Sequence, residues 1–247
     1  MHGDNPYHMS EIVLLKQYDA ASFPGLKNVN VKEVKRYAGI IGGSQDNSDP
    51  AGDMNDLLES CIKESLPVFT YNVSYLRTKI SWENEMPVLP FDIKGSKNLA
   101  ENLTGCCEIV MFAATVGSGI DRLIARYGRV QKSKALFMQT IGAERVEALC
   151  DTFNDEINEI VKSEGGFTRP RFSPGYGDLP ITVQKDFMRI LDCQRKLGVT
   201  LSDSFLMSPS KSVTAIIGIG YGEDSEKNEK HTGCSLCKKT DCEYRKI

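Results

Sequence analysis

The chain has 247 residues, enough to bury a full core as one large domain or as one domain with a small appendage. Its formal net charge of −3 gives no global reason to expect nucleic acid or a membrane as a partner. No apolar run approaches the roughly 20 residues that span a bilayer. Eight cysteines follow a polar head, "MHGDNPYHMS", that lacks the apolar core of a signal peptide. That combination points to thiols, metal ligands or redox chemistry in a reducing compartment, and the expected location is the cytoplasm.

In chain order, "VNVKEVKRYAG" predicts a short helix stopped by Gly39, and "IGGSQDNSDPAGD" predicts a turn-rich loop. "MNDLLESCIKESL" places Leu57, Leu58, Cys61, Ile62 and Leu66 at amphipathic helical spacing, with Pro67 marking the end. The alternation of Phe69, Tyr71, Val73 and Tyr75 predicts a half-buried strand, and a second extended piece follows around "TKISW". "GSKNLAENLTGC" predicts a short helix that stops at Gly105. "CEIVMFAATVG" is a continuous apolar run, as expected of a central strand covered on both faces.

The longest helix is expected over about 132–164, where Val146, Leu149, Phe153, Ile157 and Ile160 recur at steps of three and four. "FTRPRFSPGYGDLP" then has to be a shaped loop, because proline lacks a donor and fixes its own dihedral while glycine raises chain entropy. A further helix is expected over "ITVQKDFMRILDCQRKLGV". "LSDSFLMSP" and "KSVTAIIGIGYG", separated by a Ser-Pro-Ser turn, predict a β-hairpin. "GIGYG" lacks the following helix of a nucleotide-binding loop, so it reads as a strand end with a turn. No internal repeat is present. Helices and strands mix without strict alternation, which favours an α+β fold.

Cys61, Cys106, Cys107, Cys150 and Cys193 fall in apolar or helical patterns and are expected to be buried thiols. His2, His8 and His231 lie in polar segments and form no catalytic set. A charged linker, "EDSEKNEKHTG", leads to Cys234, Cys237 and Cys242 in a C-x-x-C-x-x-x-x-C pattern. Thiolates at this spacing can converge on zinc or an iron–sulfur cluster, and a plain thiol cluster stays open as the alternative. A further ligand would come from His231, Cys193, water or a partner. The division expected is therefore a compact domain over 1–222 and a linker with a cysteine-rich tail over 223–247.

"RFSPGYGDLP", the helix after it and "LGVTLSDSFLMSPSKSV" carry a resemblance to the reactivation domain of cobalamin-dependent methionine synthase. "LPFDIKGSKNLAENLTGCCEIVMFAATVGSGIDRLIARY" is similar to stand-alone bacterial relatives of that domain. The resemblance covers about 89–220. It implies a C-shaped α+β domain with a central antiparallel sheet and a site for S-adenosylmethionine. It further implies a cobalamin on a partner: a corrinoid protein or methionine synthase modules. The inactive cobalt is reduced by one electron, from flavodoxin or another donor, and methylated.

Carried over residue by residue, the resemblance places Arg171, Ser173, Gly175 and Tyr176 on the family's binding loop, Ser173 standing where alanine is common. Arginine can clamp a carboxylate with two parallel hydrogen bonds, and glycine lets the backbone approach an adenosine closely. Tyrosine adds a face for stacking. A family glutamate maps to Glu147, with Glu144 or Asp151 one turn away. Where methionine synthases use a tyrosine on a late strand, this chain has Lys211 at the turn. No cobalamin-binding D-x-H-x-x-G segment, homocysteine module or folate module is recognisable, so a complete methionine synthase is not expected. The competing reading is a metal-bearing accessory or electron-delivery protein whose cleft is non-catalytic.

Overall fold

The structure, a computed structural model, describes residues 13–40 and 50–222. In chain order these form β1 (Leu14–Tyr18), α1 (Pro24–Lys27), α2 (Val31–Tyr37), α3 (Pro50–Ser65), β2 (Tyr71–Lys79), β3 (Ser81–Glu83) and β4 (Met86–Val88). There follow α4 (Lys97–Asn102), β5 (Glu108–Thr115), α5 (Gly119–Val130), α6 (Lys132–Ser163) and β6 (Gly166–Thr168). The chain continues with α7 (Gln184–Ile190), α8 (Cys193–Leu197), β7 (Thr200–Leu201), β8 (Met207–Ser208) and β9 (Ser212–Tyr221).

A five-stranded antiparallel sheet, ordered β1-β2-β5-β9-β6, organises these elements. β5 lies at its centre, in register with β2 from Asn72↔Thr115 to Lys79↔Glu108 and with β9 from Glu108↔Ile219 to Thr115↔Ser212. Because strand side chains alternate between faces, Val110, Phe112 and Ala114 enter one core while Ile109, Met111 and Ala113 enter the other. The first core packs against α3, α5 and α6; Leu149, Phe153, Ile157 and Val161 of α6 cover this face. The second packs against α4, α7 and α8 through Leu99, Phe187, Leu191 and Cys193. The α+β fold with a central antiparallel sheet expected from the sequence is the fold observed, and "CEIVMFAATVG" is its doubly covered strand.

Several local expectations need correction. "LSDSFLMSP" and "KSVTAIIGIGYG" do not form a hairpin: β7 pairs with β8 inside the first segment, and β9 pairs with β5 and β6. An apolar ten-residue strand gains most by burying both faces at the sheet centre, whereas the Ser/Asp-rich segment cannot follow it there. The helix expected over "ITVQKDFMRILDCQRKLGV" breaks at Asp192, which takes a left-handed conformation with φ 51°. Leu191, fully buried, offers its carbonyl to the Ser74 hydroxyl at 2.8 Å, so the chain is drawn onto the sheet at that point. The same contact covers the second face of β2, which is therefore more than half-buried. α3 begins at Pro50, inside the expected loop. Ile160 is exposed rather than part of the buried stripe of α6, and no expectation covered β1, α5 or β6. Cys61, Cys106, Cys150 and Cys193 are buried as expected, but Cys107 is exposed.

Candidate functional site

The proline–glycine segment is pinned along its length. Arg169 N donates to Gly218 O at 2.8 Å, and Phe172 and Ile216 exchange a pair of backbone hydrogen bonds at 2.8 and 2.9 Å. The segment thus begins as an extra rung beside β9. Ser173-Pro174-Gly175-Tyr176 then closes a turn in which Tyr176 N donates to Ser173 O at 3.1 Å. Proline at the second position and glycine at the third, with φ 86°, make this a type II turn. Buried Phe172 and Leu179 anchor the segment on the second core. Asp178 ties its end to the start of α4, accepting from the Ser96 hydroxyl and from Lys97 N at 2.8 Å. Those bonds, the Ser96 hydroxyl's first, hold its carboxyl below the usual carboxylate range.

Arg171 leaves this rigid segment toward α6. Its Nη2 donates to Asp151 Oδ1 at 2.7 Å and to Glu147 Oε2 at 3.4 Å. Nη1 is buried without a hydrogen-bond partner, beside the fully buried Cys150 thiol. Burial pushes that thiol up to about 12, against the opposing effect of Arg171. Tyr176 is 56% exposed and meets Phe172 edge-on, with ring centroids 5.4 Å apart, so one face of its ring is open.

Glu147 and Asp151 line a cleft of about 1050 Å³ between α6 and the α1–α2 segment. Glu33, Asp155, Glu156 and Glu159 add further carboxylates, while Phe23 and Tyr37 supply aromatic walls. Burial and the nearby Glu147 push the Tyr37 hydroxyl up. The wall opposite α6 is fixed by a buried ion pair. Arg145, fully buried, donates to Glu144 and to the carbonyls of Leu26 (2.9 Å) and Asn28 (2.8 Å), while Glu144 accepts from Asn30 N at 3.0 Å.

Of the sequence candidates, Glu147 and Arg171 are brought together, and Ser173, Gly175 and Tyr176 share the loop that carries Arg171. Glu144, the one-turn alternative to Glu147, is a structural pin. Asp151, the other alternative, is the closest partner of Arg171. Lys211, just before β9, meets α6 elsewhere: its side chain runs against Gly142, five residues and about 7.5 Å of helix axis before Glu147. Desolvation pulls its ammonium pKa down. The aromatic residues of the α1–α2 wall were not singled out by sequence, since neither periodicity nor motif marks them. The burial of Arg145 was readable, because it stands four residues from both Ile141 and Leu149 in the apolar stripe.

Among the described residues no cluster of three histidine, cysteine or acidic side chains could hold a metal. Cys234, Cys237, Cys242 and His231 lie outside the described residues. Cys193, considered as a fourth ligand, is fully buried between α7 and α8 with its thiol directed to Phe187 O, and cannot serve. No described helix is long and apolar enough to cross a membrane.

Comparison with known proteins bears on this loop and sheet. A search of curated proteins finds no match. Among solved structures, one described as the MetH reactivation domain bound to AdoHcy is similar with a TM-score of 0.56. It is 14% identical, and the similarity covers 84% of this chain and 78% of that one, which establishes a common fold. The family model for the activation domain of vitamin B12-dependent methionine synthase matches residues 98–225, a span holding β5, α6, the Arg171 loop and β9. The chain belongs to that family.

Proposed function

We infer that this protein binds S-adenosylmethionine beside Arg171 and supports reactivation of a cobalamin carried by methionine synthase modules or another corrinoid protein. The observation that carries the reading is the pairing of Arg171 with Glu147 and Asp151, two of the carboxylates that line the acidic cleft. The ligand carries a sulfonium, an ammonium and a carboxylate. A guanidinium matches the carboxylate in bidentate geometry, and the carboxylates of α6 suit the two cationic groups. Tyr176 offers its open face to the adenine, and the type II turn at Gly175 brings backbone groups close to it. Glu147 fits the ammonium, and Ser173 contributes its backbone to the same turn.

The bound ligand supplies an already activated methyl group, leaving as a cation while the electrons of the broken bond stay on sulfur. The residues of this chain therefore hold and orient; none has to move a proton, and their contribution is positioning. The electron that prepares the partner's cobalt comes from a donor protein such as flavodoxin. Isothermal calorimetry of the full chain with S-adenosylmethionine tests the reading. Saturable binding that is weakened in Arg171→Ala and unchanged in the exposed Lys162→Ala variant is the expected result. Absence of binding to the wild-type chain would end it.

A further inference from the structure

α5 turns one side into the first core and the other to solvent. Ile120 and Tyr127 are buried on the inner side, and Leu123 and Ile124 pack partly against the same core. The outer side carries Arg122, Arg126 and Arg129, all exposed and spaced by four and three, so the three share one helix face. Lys132, exposed at the first position of α6, continues the charge past the corner. Nearby acids compensate little of it. Arg122 Nη1 donates to the neutral Ser118 hydroxyl at 2.8 Å. Arg126 stands 4.0 Å from Glu64, which already accepts from Tyr127 at 2.6 Å and Lys134 at 3.4 Å. Asp121 is occupied by Ser210, accepting from its backbone nitrogen at 2.8 Å. The side chains of Arg129 and Lys132 make no ion pair or hydrogen bond among the described residues.

This arrangement works against local stability. α6 has no acidic residue in its first turn, and Gln131 before it makes no side-chain capping bond. Cations at a helix N-terminus oppose the helix dipole, so Lys132 and Lys134 stand where carboxylates would be favoured. Exposed apolar side chains stand among the charges. Val130, next to Arg129, keeps 75% of its surface exposed, and Leu136, one turn after Lys132, keeps 47%. Gly128 is exposed as well, and an added Cβ there would meet nothing within 4 Å, so no internal packing asks for glycine inside this helix. Arginine beside exposed apolar surface is the composition of a protein interface. A nucleic-acid-binding domain carries a basic balance overall, whereas this chain has a net charge of −3.

We propose that the α5–α6 corner, through Arg122, Arg126, Arg129 and Lys132, docks a partner protein that presents an acidic face. On the functional reading above, on which this identification rests, that partner is the electron donor. Four cations and two apolar side chains make a small patch, suited to a transient electron-transfer encounter rather than a permanent complex. Charge complementarity of this kind speeds the encounter and sets its orientation more than it tightens the complex. Because the charges are exposed, salt weakens the attraction. Neither Arg126 nor Arg129 lines the acidic cleft, so docking here leaves the ligand site free.

The test uses the full chain and surface plasmon resonance at low ionic strength, with a flavodoxin as the acidic probe. The wild type should bind saturably, and affinity should fall at least about tenfold when Arg126→Glu and Arg129→Glu are combined. Arg129→Ala alone, which removes a side chain without a partner, should lower it about two- to fivefold. Raising the salt to about 0.5 M should bring the wild type close to the double variant. Calorimetry with S-adenosylmethionine on the same proteins separates this inference from the functional reading. The double variant should bind that ligand as the wild type does, whereas a wild type that fails to bind it would sink the functional reading and leave the docking result standing. Equal affinity of wild type and double variant for flavodoxin would overturn the proposal, as would a wild type that does not bind flavodoxin. So would capture of duplex DNA or anionic vesicles through these arginines with no capture of flavodoxin.

Discussion

Arg171 Nη2 stands 2.7 Å from Asp151 Oδ1, so the guanidinium of the proline–glycine loop is already engaged by a carboxylate of α6. The ion pair holds the fork against a carboxylate that lines the cleft. A ligand carboxylate then has to share or displace Asp151, which makes geometry as important as charge. Arg171→Ala is expected to weaken S-adenosylmethionine by about 1.5–3 kcal/mol, the range for a charge-assisted hydrogen bond. Arg171→Lys should recover little, because a lysine keeps the charge without the planar fork. Calorimetry on the two variants decides it; full recovery by lysine would reduce the role to simple charge.

In the proposed site Tyr176 serves the ligand rather than the core. Its ring is more than half exposed and touches Phe172 only edge-on. Tyr176→Ala is expected to lower affinity by about 1–3 kcal/mol, as base–aromatic stacking does elsewhere, while leaving the melting temperature of the free protein in place. An unaltered affinity would remove the stacking role.

A side chain at Gly177 would push on Asn98 and strain the backbone. With φ 56°, an added Cβ would come 2.5 Å from Asn98 Oδ1, beside the helix start that Asp178 caps. Gly177→Ala should cost at least about 1–2 kcal/mol from its left-handed backbone alone. It should also weaken ligand binding by moving the turn. Denaturant titration and calorimetry on the same preparation test both effects, and a fully stable, fully binding variant would contradict them.

Breaking the buried pair behind the cleft should be the most damaging single change. Arg145→Ala leaves the Glu144 carboxylate uncompensated and strips the carbonyls of Leu26 and Asn28 of their donor. A loss of about 3–5 kcal/mol is expected. Urea unfolding against Arg126→Ala, an exposed arginine on α5, supplies the comparison. A loss no larger than in that control would mean the pair is not a determinant of the fold.

At the sheet end, Glu164 is held down to about 2 from its ordinary 4.5 by hydrogen bonds from Arg77 and then from Tyr221. A depressed folded-state carboxyl contributes stability above its unfolded value and loses it as pH falls through the folded value. The difference in melting temperature between wild type and Glu164→Gln should therefore be constant above about pH 5 and close between about pH 4.5 and 2. Glu108, the other partner of Arg77, is present in both proteins and cancels in the comparison. A difference that persists undiminished at about pH 2 would assign the effect to something other than this ionisation.

Local chemistry determined a good part of this molecule from the sequence alone. The apolar run of β5 suited a strand covered on both faces, and the stripe through Leu149, Phe153 and Ile157 marked the long helix. Proline and glycine marked Ser173–Tyr176 as part of a shaped loop, and the fold then showed the type II turn those residues suit. Tertiary structure decided what depends on distant partners. β9 pairs with β5 rather than with its neighbour in sequence because two buried faces outweigh a short connection. The helix after the loop breaks at Asp192 because Leu191 is drawn to Ser74, a contact spanning 117 residues. Glu144 and Asp151 look alike on a helical wheel. Only the docking of the α1–α2 segment buries the first against Arg145, and only the path of the proline–glycine loop sets the second against Arg171.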